Sequence, residues 1–146
     1  FFLLVMNSEL LQDRLNSWKT YHPDTIKIYD LMLENIPKEV LESVDKLKKV
    51  LLFRNRLTTL PLAFGKGVNI EELDISGNSF DKAQDNNEEL YTVLKNLKSL
   101  RFLALGDLKL HNPLDLLDAI STLDKLKELD FCNFKAGPSI GSFIRK

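Results

Sequence analysis

Cys132 is the residue best suited by type to nucleophilic chemistry. A thiolate nucleophile needs a base within hydrogen-bond reach, and only His22 and His111 could serve as one. Asp74 and Asp130 are the carboxylates to consider for acid–base work or metal binding. Gly65-Lys66-Gly67 is rich in glycine but lacks the Lys-Ser/Thr and the strand–helix setting of a phosphate loop. A single cysteine allows no internal disulfide and no cysteine-rich zinc site, and two histidines offer no ligand spacing. No cofactor or metal is expected. Whether the remaining candidates can act together depends on the elements that carry them.

Those elements repeat. Leu47-Lys48-Lys49-Val50-Leu51-Leu52-Phe53-Arg54-Asn55-Arg56-Leu57 and Ile70-Glu71-Glu72-Leu73-Asp74-Ile75-Ser76-Gly77-Asn78-Ser79-Phe80 both follow L-x-x-L-x-L-x-x-N-x-L, 23 residues apart. Partial copies begin at Leu100 and Leu126, with Leu108 and Phe134 in the Asn place. A further copy reads Ile28-Tyr29-Asp30-Leu31-Met32-Leu33, with Asn35 one residue early. The starts at 28, 47, 70, 100 and 126 give gaps of 19, 23, 30 and 26. The L-x-L core reads as a short strand with its Leu side chains inward. The Asn pairs backbone groups freed where the chain leaves the strand. Neighbouring strands ~4.8 Å apart cover one another's Leu face.

Motif and period resemble the leucine-rich repeat family over about residues 24–146. The resemblance implies an α/β leucine-rich-repeat solenoid, with parallel strands on a concave face and helices and loops on the convex one. About five repeats are expected, with the C-terminus open to truncation. The return segments differ in length. Thr58-Thr59-Leu60-Pro61 and the Gly65–Gly67 break are too interrupted for a long helix. Asn86 to Glu89 reads as a capping box before Leu90, Leu94 and Leu97. Asn112-Pro113 reads as a cap with Pro at the first helical position, before Leu116, Ile120 and Leu123. Val40, Val44 and Leu47 suggest a shorter helix after Pro37. Such returns are similar to those of helix-backed family members of the ribonuclease-inhibitor type.

This register separates the candidate chemistry. Cys132 and His111 fall on the order of 15 Å apart at ~3.3 Å per residue, beyond hydrogen-bond reach. Asp74 and Asp130 occupy equivalent positions two repeats apart, ~10 Å, too far to share a metal ion. The reading is therefore non-enzymatic.

The resemblance makes the outward strand residues the expected binding surface for a protein partner. Most are small or polar. Met32, Leu51, Phe53 and Phe102 are large and apolar, and Arg54 follows at the strand exit; these five are the expected partner contacts. Lys48, Glu71 and Arg101 should form one charge ladder, and Lys49 with Glu72 another, each pairing contributing ~0.2–1 kcal/mol.

Residues 7–19 read as a helix with Leu11, Leu15 and Trp18 on one stripe, ended by His22-Pro23-Asp24. Residues 1–23 are expected to form an N-terminal segment and capping helix, and 24–146 the repeats. Phe1–Met6 are apolar but too few to span a bilayer. They read as upstream sequence before a start at Met6, as residues packed on the domain, or, least favoured, as the end of a signal segment. The chain has 20 Lys+Arg against 21 Asp+Glu, so it lacks the basic excess of a general nucleic-acid binder. No nucleic-acid or membrane partner is expected. The absence of cysteine-stapled caps favours a cytoplasmic location. Two alternatives stand beside protein recognition. One is self-association through an exposed C-terminal end, where Ile140, Phe143 and Ile144 follow the Gly137-Pro138 break. The other is a recognition fragment of a larger enzyme or effector.

Overall fold

A computed structural model describes residues 2–134. Helix α1 spans Phe2–Tyr21. Strand β1 (Thr25–Lys27) follows, then helix α2 (Lys38–Glu42), β2 (Lys49–Leu51) and β3 (Glu72–Asp74). The rest is helix α3 (Glu88–Asn96), β4 (Phe102–Ala104), helix α4 (Pro113–Ser121) and β5 (Glu128–Asp130). The five strands form one parallel sheet in chain order, β1-β2-β3-β4-β5. Each return segment crosses to the same side of that sheet, giving a mixed α/β fold of strand–return units. Among the described residues no helix is long and apolar enough to cross a membrane.

Alternation within each strand sets what the sheet buries. Ile26, Val50, Leu73 and Leu103 stand in register and are fully buried, as are Ile28, Leu52, Ile75 and Leu105 two residues on. Leu129 on β5 and Phe131 just after it continue these rows but are only half-buried. The return segments supply the opposite wall, including Val40, Phe64, Phe80, Leu90, Leu94 and Leu116. The return after β2 is a 3-10 turn over Leu62–Lys66, short because Pro61 and Gly67 bound it. Helix α3 packs on that turn and on α4. Gly67 leaves room for its neighbours: a Cβ there would press on the Ile70 and Val44 side chains, which would have to shift.

The asparagines perform the closure their spacing implies. Asn55 is buried; its Oδ1 accepts from Leu31 N (3.0 Å) and Leu33 N (3.2 Å), and its Nδ2 donates to Ile28 O (2.8 Å) and Leu52 O (3.0 Å). Asn78 is half-buried; it accepts from Leu57 N and donates to Leu52 O, Ile75 O and Ser76 O. Where Leu108 replaces the asparagine, Asn87 closes the turn from the return segment. It donates to Phe80 O and accepts from His111 N, both at 2.7 Å. The capping box at Asn86–Glu89 forms differently from expectation. Asp85 caps α3 by accepting from Glu89 N (2.8 Å), while the Glu89 carboxylate accepts from Leu62 N (3.0 Å).

The first repeat is displaced from the expected register. Ile26, not Leu31, pairs with Val50, so that repeat starts at Pro23 and lies 24 residues before the next. The cause is in the residues. With Leu31 in the Asn place, the motif's second half, L-x-x-N-x-L, reads L-x-x-L-x-L over 28–33 and imitates the first half. Helix α1 also begins earlier than expected, at Phe2. Its first turns do not pack on the domain: Phe2, Leu4 and Met6 are 77%, 66% and 50% exposed. Ile140, Phe143 and Ile144 lie outside the described residues.

Candidate functional site

The outward face of the sheet is lined by the strand residues that alternate with the core. Side by side across it stand Thr25, Lys49, Glu72, Phe102 and Glu128, then Lys27, Leu51, Asp74, Ala104 and Asp130. The next row, two residues on, is Tyr29, Phe53, Ser76, Gly106 and Cys132. Of the expected contacts, Leu51 ends β2 and Phe53 lies two residues beyond it, both half-buried. Phe102 is half-buried on β4, flanked by Glu72 and Glu128, and is not a neighbour of the Leu51–Phe53 pair. Met32 leaves the site. The shifted register puts it on the turn after β1, with φ +56°, where it cannot stand beside Leu51.

Tyr29 takes the place in the face that the register shift vacates. Its ring stacks on Phe53 with centroids 4.3 Å apart and planes 9° from parallel. On its other side lies the Arg14 guanidinium of α1, 4.3 Å from the Tyr29 centroid, with Nη1 donating to Tyr29 O at 2.6 Å. A three-layer column, Arg14–Tyr29–Phe53, therefore joins α1 to the sheet. Neither Arg14 nor Tyr29 is evident as a site residue while the first repeat is read five residues late.

Arg54 is exposed at the strand exit, with φ +54°. Its equivalents Asp30, Gly77, Asp107 and Asn133 share this left-handed backbone, at φ +59°, +61°, +53° and +55°. Asp, Asn and Gly at one register position are the types that tolerate it. That coincidence is a signal the sequence carries. In this conformation the N–H of Arg54 reaches Ser76 O and that of Gly77 reaches Gly106 O, each at 2.9 Å, so the ladder continues past the strands.

The charges divide between pairing and backbone support. Lys49 Nζ meets Glu72 Oε2 at 2.8 Å, the expected cross-strand pair. Among the described residues no ion pair joins Lys48, Glu71 and Arg101; their backbones form the rungs instead, Glu71 N to Lys48 O (2.7 Å) and Arg101 N to Glu71 O (2.8 Å). Asp74 and Asp130 each accept from the backbone N–H two residues on, Ser76 at 3.0 Å and Cys132 at 2.8 Å. These carboxylates shape their turns.

Cys132 is exposed. Its carbonyl accepts from Asp107 N, and among the described residues no hydrogen bond joins it to a histidine. His111 faces the return side, with Nε2 2.9 Å from Asp81 O. There the Tyr91 hydroxyl donates to His111 O. Burial, with the Asp115 carboxylate second, pushes the Tyr91 phenol well above its usual range. The chain matches no protein-family model and no curated protein.

Proposed function

We propose that this chain is a leucine-rich-repeat solenoid, capped by α1, that recognises a protein partner through its concave strand face and carries out no catalysis. One observation supports this most directly: the outward face holds the half-buried apolar side chains Leu51 and Phe53, the latter extended by the Tyr29 stack. Side chains whose types favour burial, held on the solvent side of a sheet, are what a docking partner covers. The rows around them are mainly polar or small, as the rim of such a surface should be. A cytoplasmic setting belongs to the same reading.

A photo-crosslinking residue at Leu51 tests the surface. It should join the chain to one discrete partner band in cells. Phe53→Glu should remove the band, because it places a charge in the contact. Leu114→Glu, at an exposed position on α4, should leave it intact. Equal labelling in all three chains would refute docking at this face.

A further inference from the structure

Between α1 and the outward face of β1 lies a cavity of about 330 Å³. Its charged lining is Arg14 and Lys27, with the His22 imidazole and the Ser17 and Thr25 hydroxyls beside them and no carboxylate. Among the described residues none of the ion pairs uses Arg14, Lys27 or His22. The nearest acid in sequence, Asp24, accepts from Thr25 Oγ1 at 3.1 Å and does not line the cavity.

Arg14 is the unusual member. It is half-buried, and it is fixed by the bond to Tyr29 O and by the stack on the Tyr29 ring. A guanidinium has five N–H donors, and the Tyr29 carbonyl occupies one. The remaining N–H donors of this held guanidinium are open to an anion. A fixed planar fork beside an ammonium group suits the oxygens of a phosphate. Trp18 and Tyr29 give the same cavity an aromatic wall, and 330 Å³ is the size of a small-ligand site.

We propose that this corner between α1 and β1 binds a phosphate monoester, with Arg14 and Lys27 as its charge partners and Ser17 as a hydroxyl donor. The proposal adds to the reading of the sheet face. Phosphate binding by the isolated chain is measured whether or not a protein partner uses that face.

Trp18 is the only tryptophan and lines the cavity, so its emission reports occupancy directly. The full chain is titrated at constant ionic strength with inorganic phosphate, a capped Gly-phosphoserine-Gly peptide, its unphosphorylated form, and vesicles of four parts phosphatidylcholine to one part phosphatidylserine. Both phosphate probes should change the emission saturably, and the unphosphorylated peptide should not. Peptide binding at least tenfold tighter than inorganic phosphate identifies a phosphorylated partner as the source; equal or weaker peptide binding identifies a free phosphate compound. Lys27→Gln, at an exposed strand position, should weaken phosphate at least fivefold, and Arg14→Gln should abolish saturation. Since Arg14→Gln also removes the stack on Tyr29, the Lys27 variant carries the decision if the Arg14 variant fails to fold. No saturable response to either phosphate probe, unchanged affinity in Lys27→Gln, or a response to vesicles alone would overturn the proposal.

Discussion

Asn55 and Asn78 show how much one side chain settles in this fold. Each ties backbone groups of two successive turns that would otherwise lie unpaired at a strand exit. Their spacing is legible because no other residue type offers a donor and an acceptor on one short planar group. Leu31 shows the opposite. It fills the Asn place of the first repeat, and the leucine pattern then becomes ambiguous by five residues. That ambiguity hides Tyr29 and Arg14 and moves Met32 into a face it does not occupy. Replacing Asn78 by Leu should cost more than about 1 kcal/mol, since it strands the carbonyl of Ile75 and the N–H of Leu57, while Leu52 O keeps its bond from Asn55. The same change at the more buried Asn55 should cost more. Urea midpoints at fixed slope measure both, and an unchanged midpoint for Asn78→Leu would contradict the closure role.

Among the elements, α3 does more than its amphipathic stripe implies. Leu90 and Leu94 form the buried face that helical spacing predicts. Its N-terminal end also staples the loop before α4, through Asn87 to His111 N and through the Tyr91 hydroxyl to His111 O. These contacts span 24 and 20 residues. No local pattern foretells a bond at that separation, although the wrong tenant at Leu108 says that some substitute must exist. The staple should make stability pH-dependent on the alkaline side. Burial first, and Asp115 second, raise the Tyr91 phenol in the folded chain, so the folded state favours the neutral form. The contribution is then complete below about pH 10, the unfolded value, and is lost as pH climbs from there toward the folded value. The phenolate also cannot donate to His111 O. Urea midpoints between pH 8 and 11.5 should fall steeply above about 10 in the parent chain. Tyr91→Phe should lower stability at neutral pH by about 0.5–1.5 kcal/mol and fall less steeply above pH 10. Parallel curves for the two chains would exclude Tyr91 as the source.

For the whole molecule the question is whether strand–return units with mostly neighbour contacts fold singly or together. A chain of weakly coupled units can lose its ends first. Here one apolar cluster runs unbroken from Leu15 on α1 to Leu123 after α4. Both inward rows of the sheet pass through it, and Leu31 on the first turn is bonded by Asn55 of the second. That continuity favours a single cooperative transition, as small single domains show. Two substitutions at opposite ends of the cluster can test it. Ile26→Val on β1 should cost about 0.5–1.5 kcal/mol, and Leu116→Ala on α4 about 2–5 kcal/mol. Both side chains are fully buried, and they share no strand or helix. If the core acts as one unit, each variant moves the same transition, followed equally by Trp18 emission at the α1 end and by far-ultraviolet circular dichroism over the whole chain. The double variant should then shift by the sum, within about 0.5 kcal/mol. If the units unfold separately, Leu116→Ala would leave the Trp18 transition in place while the circular dichroism curve splits in two. Coincident curves in all four chains are the expected outcome.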